Sequence, residues 1–196
     1  MKTLTKIVFA TVFAAVLLTA SSMTTLAASR IELVKPATGF KKLWVSGNVK
    51  IILTQSEKEG VFVDEDFDAE KTSVLSKGET LYINSFERQQ VIIRVAMKDL
   101  LRIQAAGMAV VVTDNNFNLK CLQVILSQSA IAKVNAVTGS LYTNVSDNAK
   151  LKLSGVSDRY TSVASNQKNV KFDNFISLNA NEPDTLVAMA GNRSKF

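Results

Sequence analysis

Leu122–Val134 reads LQVILSQSAIAKV, Leu141–Leu153 reads LYTNVSDNAKLKL and Tyr160–Phe172 reads YTSVASNQKNVKF. The three segments begin 19 residues apart, and Leu101 precedes the first by 21. Four places after each anchor stands an apolar residue: Ala105, Leu126, Val145 and Ala164. A small residue follows at Ala106, Ser127, Ser146 and Ser165. Then comes a turn at Gly107–Met108, Gln128–Ser129, Asp147–Asn148 and Asn166–Gln167, and a further apolar group at Val110–Val111, Ile131, Leu151 and Val170. Such regular spacing, with strands and no helices, predicts a β-solenoid with coils of about 19–21 residues. One coil cannot bury its own inner face, so stability would come from stacking. Asn and Asp at the turns tolerate a left-handed backbone. The competing reading is a β-sandwich, because regularly spaced short strands suit that fold too.

Outward from this core the pattern stays strand-like. Leu43–Leu53, Val61–Asp64, Leu81–Asn84 and Val91–Val95 alternate apolar and polar residues between Asn, Asp, Gly and Ser. Trp44–Val49 (WVSGNV) places Ser46–Gly47 in the small-turn slot, an early echo of the later units. Phe40–Val95 otherwise departs from the spacing and is expected to form an irregular N-terminal β cap. The domain reading is a signal peptide over 1–28, a lead-in over 29–39 and one domain over 40–196.

The leader reading rests on Lys2 and Lys6, the apolar Ile7–Ala20 and the small Ser21–Ala28, with cleavage expected after Ala27 or Ala28. The apolar run falls short of the roughly 20 residues that a membrane span needs. The expectation is an exported protein of the periplasm or cell surface, with no span after cleavage. Loss of Lys2 and Lys6 lowers the net charge from +6 to +4. That mild surplus suits anionic envelope surfaces, and export argues against nucleic acid. Cys121 is the only cysteine, so no intrachain disulfide can form. Its place in KCLQVIL predicts a buried, inert thiol.

Phe40–Val49 fits F-x-x-L-x-V-S-G-x-V; VFVD, LYIN and VIIRV follow, and then units with Ser- or Ala-centred turns. In this the chain resembles the auto-transporter adhesin, head GIN domain family of exported bacterial proteins, over roughly Phe40–Phe172. The resemblance implies an all-β fold built around a right-handed parallel β-helix. It implies adhesion by name and carries no catalytic motif. Gly47, Gly107 and Gly155 keep the family's glycine turns, whereas Gln128, Asp147 and Asn166 depart from them.

The chain has no histidine, which excludes Ser-His-Asp and Cys-His catalysis and zinc sites of the Cys/His type. No phosphate-binding glycine loop is present, and no cofactor is expected. Asp64, Asp66 and Asp68 alternate in DEDFDAE and could converge on a cation, but the calcium-loop pattern fails at Ala69 and Leu75, and a solvated turn is expected. A β-helix lyase acting on an acidic glycan would need a groove uniting acids with Arg94, Lys98, Arg102, Lys150 or Lys152. Lys150 and Lys152 read first as the wet face of a strand whose Leu151 and Leu153 point inward. Trp44, Tyr82, Tyr142 and Tyr160 are candidates for stacking on sugars, with core or half-buried strand positions the plainer expectation. The tail Ala190–Phe196 and the apolar Leu186–Met189 end the chain, and unprotected strand edges there would permit homo-oligomers. The functional expectation is a non-enzymatic binding or structural module of the cell envelope, with glycan, lipid or protein surfaces as partners and no catalytic, cofactor or metal residue assigned.

Overall fold

The computed structural model describes residues 32–33, 39–63 and 68–180. The expected leader, most of the lead-in, Asp64, Asp66, Leu186–Met189 and the tail lie outside the described residues. Thirteen strands form among those described: β1 (Glu32–Leu33), β2 (Lys42–Gly47), β3 (Val49–Gln55), β4 (Gly60–Val63), β5 (Thr72–Lys77), β6 (Thr80–Ser85) and β7 (Val91–Met97), then β8 (Arg102–Ala105), β9 (Val110–Thr113), β10 (Phe117–Leu126), β11 (Ile131–Val145), β12 (Lys150–Ala164) and β13 (Val170–Ala180). A 3₁₀ turn, Gln167–Asn169, separates β12 from β13.

All thirteen strands join one sheet in the order β1-β4-β7-β3-β9-β11-β10-β8-β2-β6-β5, with β12 on β11 and β13 on β12. The sheet is mixed. β4 runs antiparallel to β1 and to β7, and β5 runs antiparallel to β6, while the other pairs are parallel. The sheet curls into a half-barrel around one apolar core. This overturns the expected right-handed parallel β-helix. β5 and β6 are joined by only Gly78–Glu79, and so short a link returns the chain antiparallel. The sandwich alternative fails as well, because no second sheet exists among the described residues.

The N-terminal strands are no cap. β2 lies between β6 and β8, and β3 between β7 and β9, so each is hydrogen-bonded along both of its edges within the sheet. Leu43 pairs beside Ile103 and Ile51 beside Val111, so these partners are far apart in sequence. From β8 onward the offsets are shorter: Leu122 pairs with Leu141, which pairs with Tyr160. Leu122, Leu141 and Tyr160 therefore lie side by side on neighbouring strands.

The strands obey their sequence alternation. Val49, Ile51 and Leu53 are buried, while Lys50 and Ile52 face outward. Each buried aliphatic side chain contributes roughly 1.5–3 kcal/mol. The alternation slips once along each of β10, β11 and β12. In β10 both Lys120 and Cys121 point outward, and the neighbouring slips fall at Gly139–Ser140 and Asp158–Arg159 in the same register. Cys121 is consequently exposed, not buried. The apolar flank that predicted burial continues the strand, but two successive outward residues, Lys120 and Cys121, reverse its phase.

The turns leading out of β2, β8, β10 and β11 stack. Gly47, Gly107, Gln128 and Asp147 all have positive φ, at 83°, 69°, 59° and 56°. The Gly107 N–H donates to Gln128 Oε1 at 2.6 Å, and the Gln128 N–H donates to Asp147 Oδ2 at 2.8 Å. Gln128 and Asp147 thus each supply an acceptor to the turn before. Asn166 closes the column differently: it is extended, and its side chain caps the 3₁₀ turn at Lys168. At Gly47 no side chain is admissible, since an added Cβ would lie 1.9 Å from the Ser85 carbonyl oxygen.

Candidate functional site

Strand alternation sends every second side chain away from the core, and the pairing register sets these outward residues in rows. One row runs Leu75, Tyr82, Trp44, Gln104, Ile125, Asn144, Val163 across β5, β6, β2, β8, β10, β11 and β12. Leu75 is 56% exposed, Tyr82 38% and Val163 47%, with the middle of the row half-buried. The Trp44 and Tyr82 ring centroids lie 5.9 Å apart at 48°. The row is therefore apolar and aromatic at its β5–β2 end and mixed with amides further along.

Polar rows flank it. On one side stand Lys42, Arg102, Gln123 and Tyr142 in register, with Arg102 Nε donating to Gln123 Oε1 at 2.9 Å. Glu79 lies 3.2 Å from Lys41 Nζ and 3.9 Å from Lys42 Nζ. On the other side the Ser46 hydroxyl donates to Asn84 Oδ1 at 2.5 Å. Planar rings bordered by amides, hydroxyls and cations can stack on a sugar or lie against an apolar surface, and the amides can hydrogen-bond beside them.

The sequence candidates separate on the structure. Trp44, Tyr82 and Tyr142 share this face. Tyr160 does not: it is buried against Phe172 and Phe175, with ring centroids 5.8 and 5.2 Å away, and its hydroxyl meets Thr143 Oγ1 at 3.2 Å. The lyase-type groove does not assemble. Arg102 lies on the strand beside Trp44, whereas Arg94, Lys150 and Lys152 project from the outer surface of β7 and β12. Lys98 is held by Glu57 at 2.6 Å, and the Glu57 carboxylate raises the Lys98 ammonium above its ordinary value. Lys150 and Lys152 are exposed around buried Leu151 and Leu153.

In the acidic turn, Asp68 binds the Lys71 ammonium at 2.5 Å and accepts the Glu70 N–H at 3.0 Å. The hydrogen bond from Lys71 lowers the Asp68 carboxyl, with the Glu70 amide second. This carboxylate is committed within its own turn. Among the described residues no group of three metal-ligating side chains occurs, and no helix is long and apolar enough to cross a membrane.

Leu75, Gln104, Ile125, Asn144 and Val163 belong to the face and carry no motif. Their outward orientation is readable from alternation. Their convergence depends on the long-range register between β2 and β8, which no local pattern marks.

Solved structures share the fold. A putative adhesin from Bacteroides fragilis NCTC 9343 superposes with a TM-score of 0.63 at 17% identity, covering 78% of this chain and 74% of that one. A putative lipid binding protein from Parabacteroides distasonis ATCC 8503 superposes with a TM-score of 0.58 at 12% identity, covering 78% of this chain and 76% of that one. No curated protein sequence matches the chain. The family model described as putative auto-transporter adhesin, head GIN domain, matches residues 39–182, so the chain belongs to that family.

Proposed function

We propose that the chain is an exported, non-enzymatic binding module of the bacterial cell envelope, adhesive in the sense of its family's name, and that the Trp44–Tyr82 face is its contact surface. The carrying observation is that face: seven strands set one row of aromatic, aliphatic and amide side chains outward on a hydrogen-bonded sheet. Rigid elements suit binding because little order is lost on contact. The lack of histidine and the dispersal of Arg94, Lys98, Arg102 and Lys150 argue against the lyase reading. Glycan of the envelope is the ligand that stacking rings with flanking amides fit best. The neighbour named as a lipid binding protein makes lipid the competing ligand.

The test is co-sedimentation of the full chain with isolated peptidoglycan and outer membrane at low and high salt, beside the variants Trp44→Ala and Tyr82→Ser. Retention at high salt that both substitutions abolish supports the reading. Retention that vanishes with salt leaves only screened electrostatics and rejects it.

A second reading, self-assembly, is favoured by β13. Among the described residues this strand pairs only with β12, and its outward Ile176 and Leu178 are 57% and 65% exposed. Val137 and Val156 continue the apolar surface in register with Ile176. An open strand edge beside apolar side chains is a template for pairing. Concentration-dependent sedimentation that Ile176→Lys abolishes would support assembly; a monomer at all concentrations would reject it.

A further inference from the structure

A second stretch of outer surface, away from Trp44, is built by β9 and the first halves of β11, β12 and β13. There Lys133 of β11 pairs beside Lys152 of β12, which pairs beside Lys171 of β13. All three are exposed, and exposed Lys150 stands two places before Lys152 on the same face. Adjacent strands lie about 4.8 Å apart, so the ammonium groups spring from a straight ladder across the strands. Like charges on directly opposed cross-strand positions are destabilising. Among the described residues a single carboxylate pairs with this row, Asp173, 2.7 Å from Lys152. The fold thus carries a repulsive cationic row that its own packing does not use.

We propose that Lys133, Lys150, Lys152 and Lys171 form a docking surface for an extended polyanion, an acidic polysaccharide. Two observations select that partner. The cations recur in a straight row at the strand spacing, so a linear chain with a carboxylate on each sugar can lay repeated negative charge along them within reach of the flexible lysine side chains. The row also carries no exposed apolar side chain that could enter a bilayer. It continues into half-buried Val112 and Ile52, its neighbours along the strands are Ile131, Asn135 and Ser154, all half-buried, and the exposed Val137 and Ile176 lie past the left-handed Gly155. The inference stands apart from the Trp44 face and survives if that reading fails.

The experiment measures binding of the full chain to polygalacturonate, to neutral dextran and to phosphatidylglycerol vesicles at several salt concentrations. The ladder variant is Lys133→Gln/Lys152→Gln/Lys171→Gln. The control, Lys58→Gln/Lys77→Gln/Lys120→Gln, removes the same charge from lysines elsewhere on the surface. The expected result is salt-sensitive binding to polygalacturonate, none to dextran, a loss of about tenfold or more in the ladder variant and about twofold or less in the control. Asp173→Asn, which frees Lys152, is expected to strengthen binding and reads the same surface without removing a lysine. Equal losses in the two triple variants, binding to vesicles alone, or no binding to polygalacturonate would each overturn the proposal.

Discussion

The sheet has two regions held by the same kind of ladder and wired differently. From β8 onward each strand lies beside its neighbour in the repeat, and the turns between them stack one on another. Before β8, the pairs β1–β4, β4–β7 and β5–β6 run antiparallel, and β2 and β3 take partners far downstream in β8 and β9. The later region reads as a series because its contacts are near in sequence. The earlier region supplies the strands on either side of β8–β11, and with them Trp44 and Tyr82. Regular spacing therefore marks part of the scaffold, while the aromatic end of the candidate contact surface lies in the irregular part.

The sharpest way to break this contrast is at the glycines where backbones meet. Gly47→Ala forces a Cβ to 1.9 Å from the Ser85 carbonyl at φ +83°, and Gly155→Ala to 2.1 Å from the Ala136 carbonyl at φ +102°. Gly47 sits on β2, paired on both sides by β6 and β8, and Gly155 on β12 next to β13, which among the described residues pairs with β12 alone. Gly47→Ala is expected to cost roughly 4 kcal/mol or prevent folding, and Gly155→Ala about 2–3 kcal/mol, read from urea midpoints. Equal costs would mean that position within the sheet does not matter.

The stacked turns offer a smaller test. Asp147→Ala removes the acceptor for the Gln128 N–H. It also leaves a non-glycine residue at a φ of 56°. A loss of about 1–2 kcal/mol is expected, again from urea midpoints. Asp147→Gly relieves the backbone and loses only the hydrogen bond, so it should be milder. If glycine is the worse of the two, the column is held by side-chain acceptors to a greater degree than by backbone shape.

The smallest effect belongs to the acidic turn of the earlier region. Lys71 and the Glu70 amide hold Asp68 below its ordinary value of 3.8. A carboxyl depressed in the folded state contributes stability that is present above its unfolded value and is lost as pH falls through the folded one. Asp68 lies at the surface, where solvent screens the pair, so the loss below pH 3.8 should be slight. Asp68→Asn should remove that part of the acid dependence alone. An unchanged acid profile in Asp68→Asn would place the acid sensitivity in other groups.

Much of the scaffold was legible in the residues. Strand positions, the left-handed turn at Asp147, and the wet Lys150 and Lys152 beside buried Leu151 and Leu153 all follow from alternation and turn chemistry. The sheet's connectivity was not. A spacing fixes which residues lie side by side but says nothing of β4 and β5, which run against their neighbours and make the sheet mixed. Cys121 illustrates the same limit at one residue, because a slip of alternation at Lys120–Cys121 turns an apolar-flanked thiol outward. Of the candidate site, Trp44, Tyr82 and Tyr142 were visible as aromatics, and Tyr160 was separable from them only by its packing on Phe172 and Phe175. The lysine row was half-visible, since Lys150 and Lys152 alternate in one strand while Lys133 and Lys171 join them only through register.

Trp44 is the chain's sole tryptophan and sits between Tyr82 and Gln104 in the proposed contact face, so its emission reports occupancy of that face directly. The full chain would be titrated with solubilised envelope glycan while Trp44 emission and its quenching by acrylamide are followed. Shielding of Trp44 that saturates together with binding is the predicted result. Saturable binding that leaves Trp44 as accessible as in the free protein would contradict the assignment of this face.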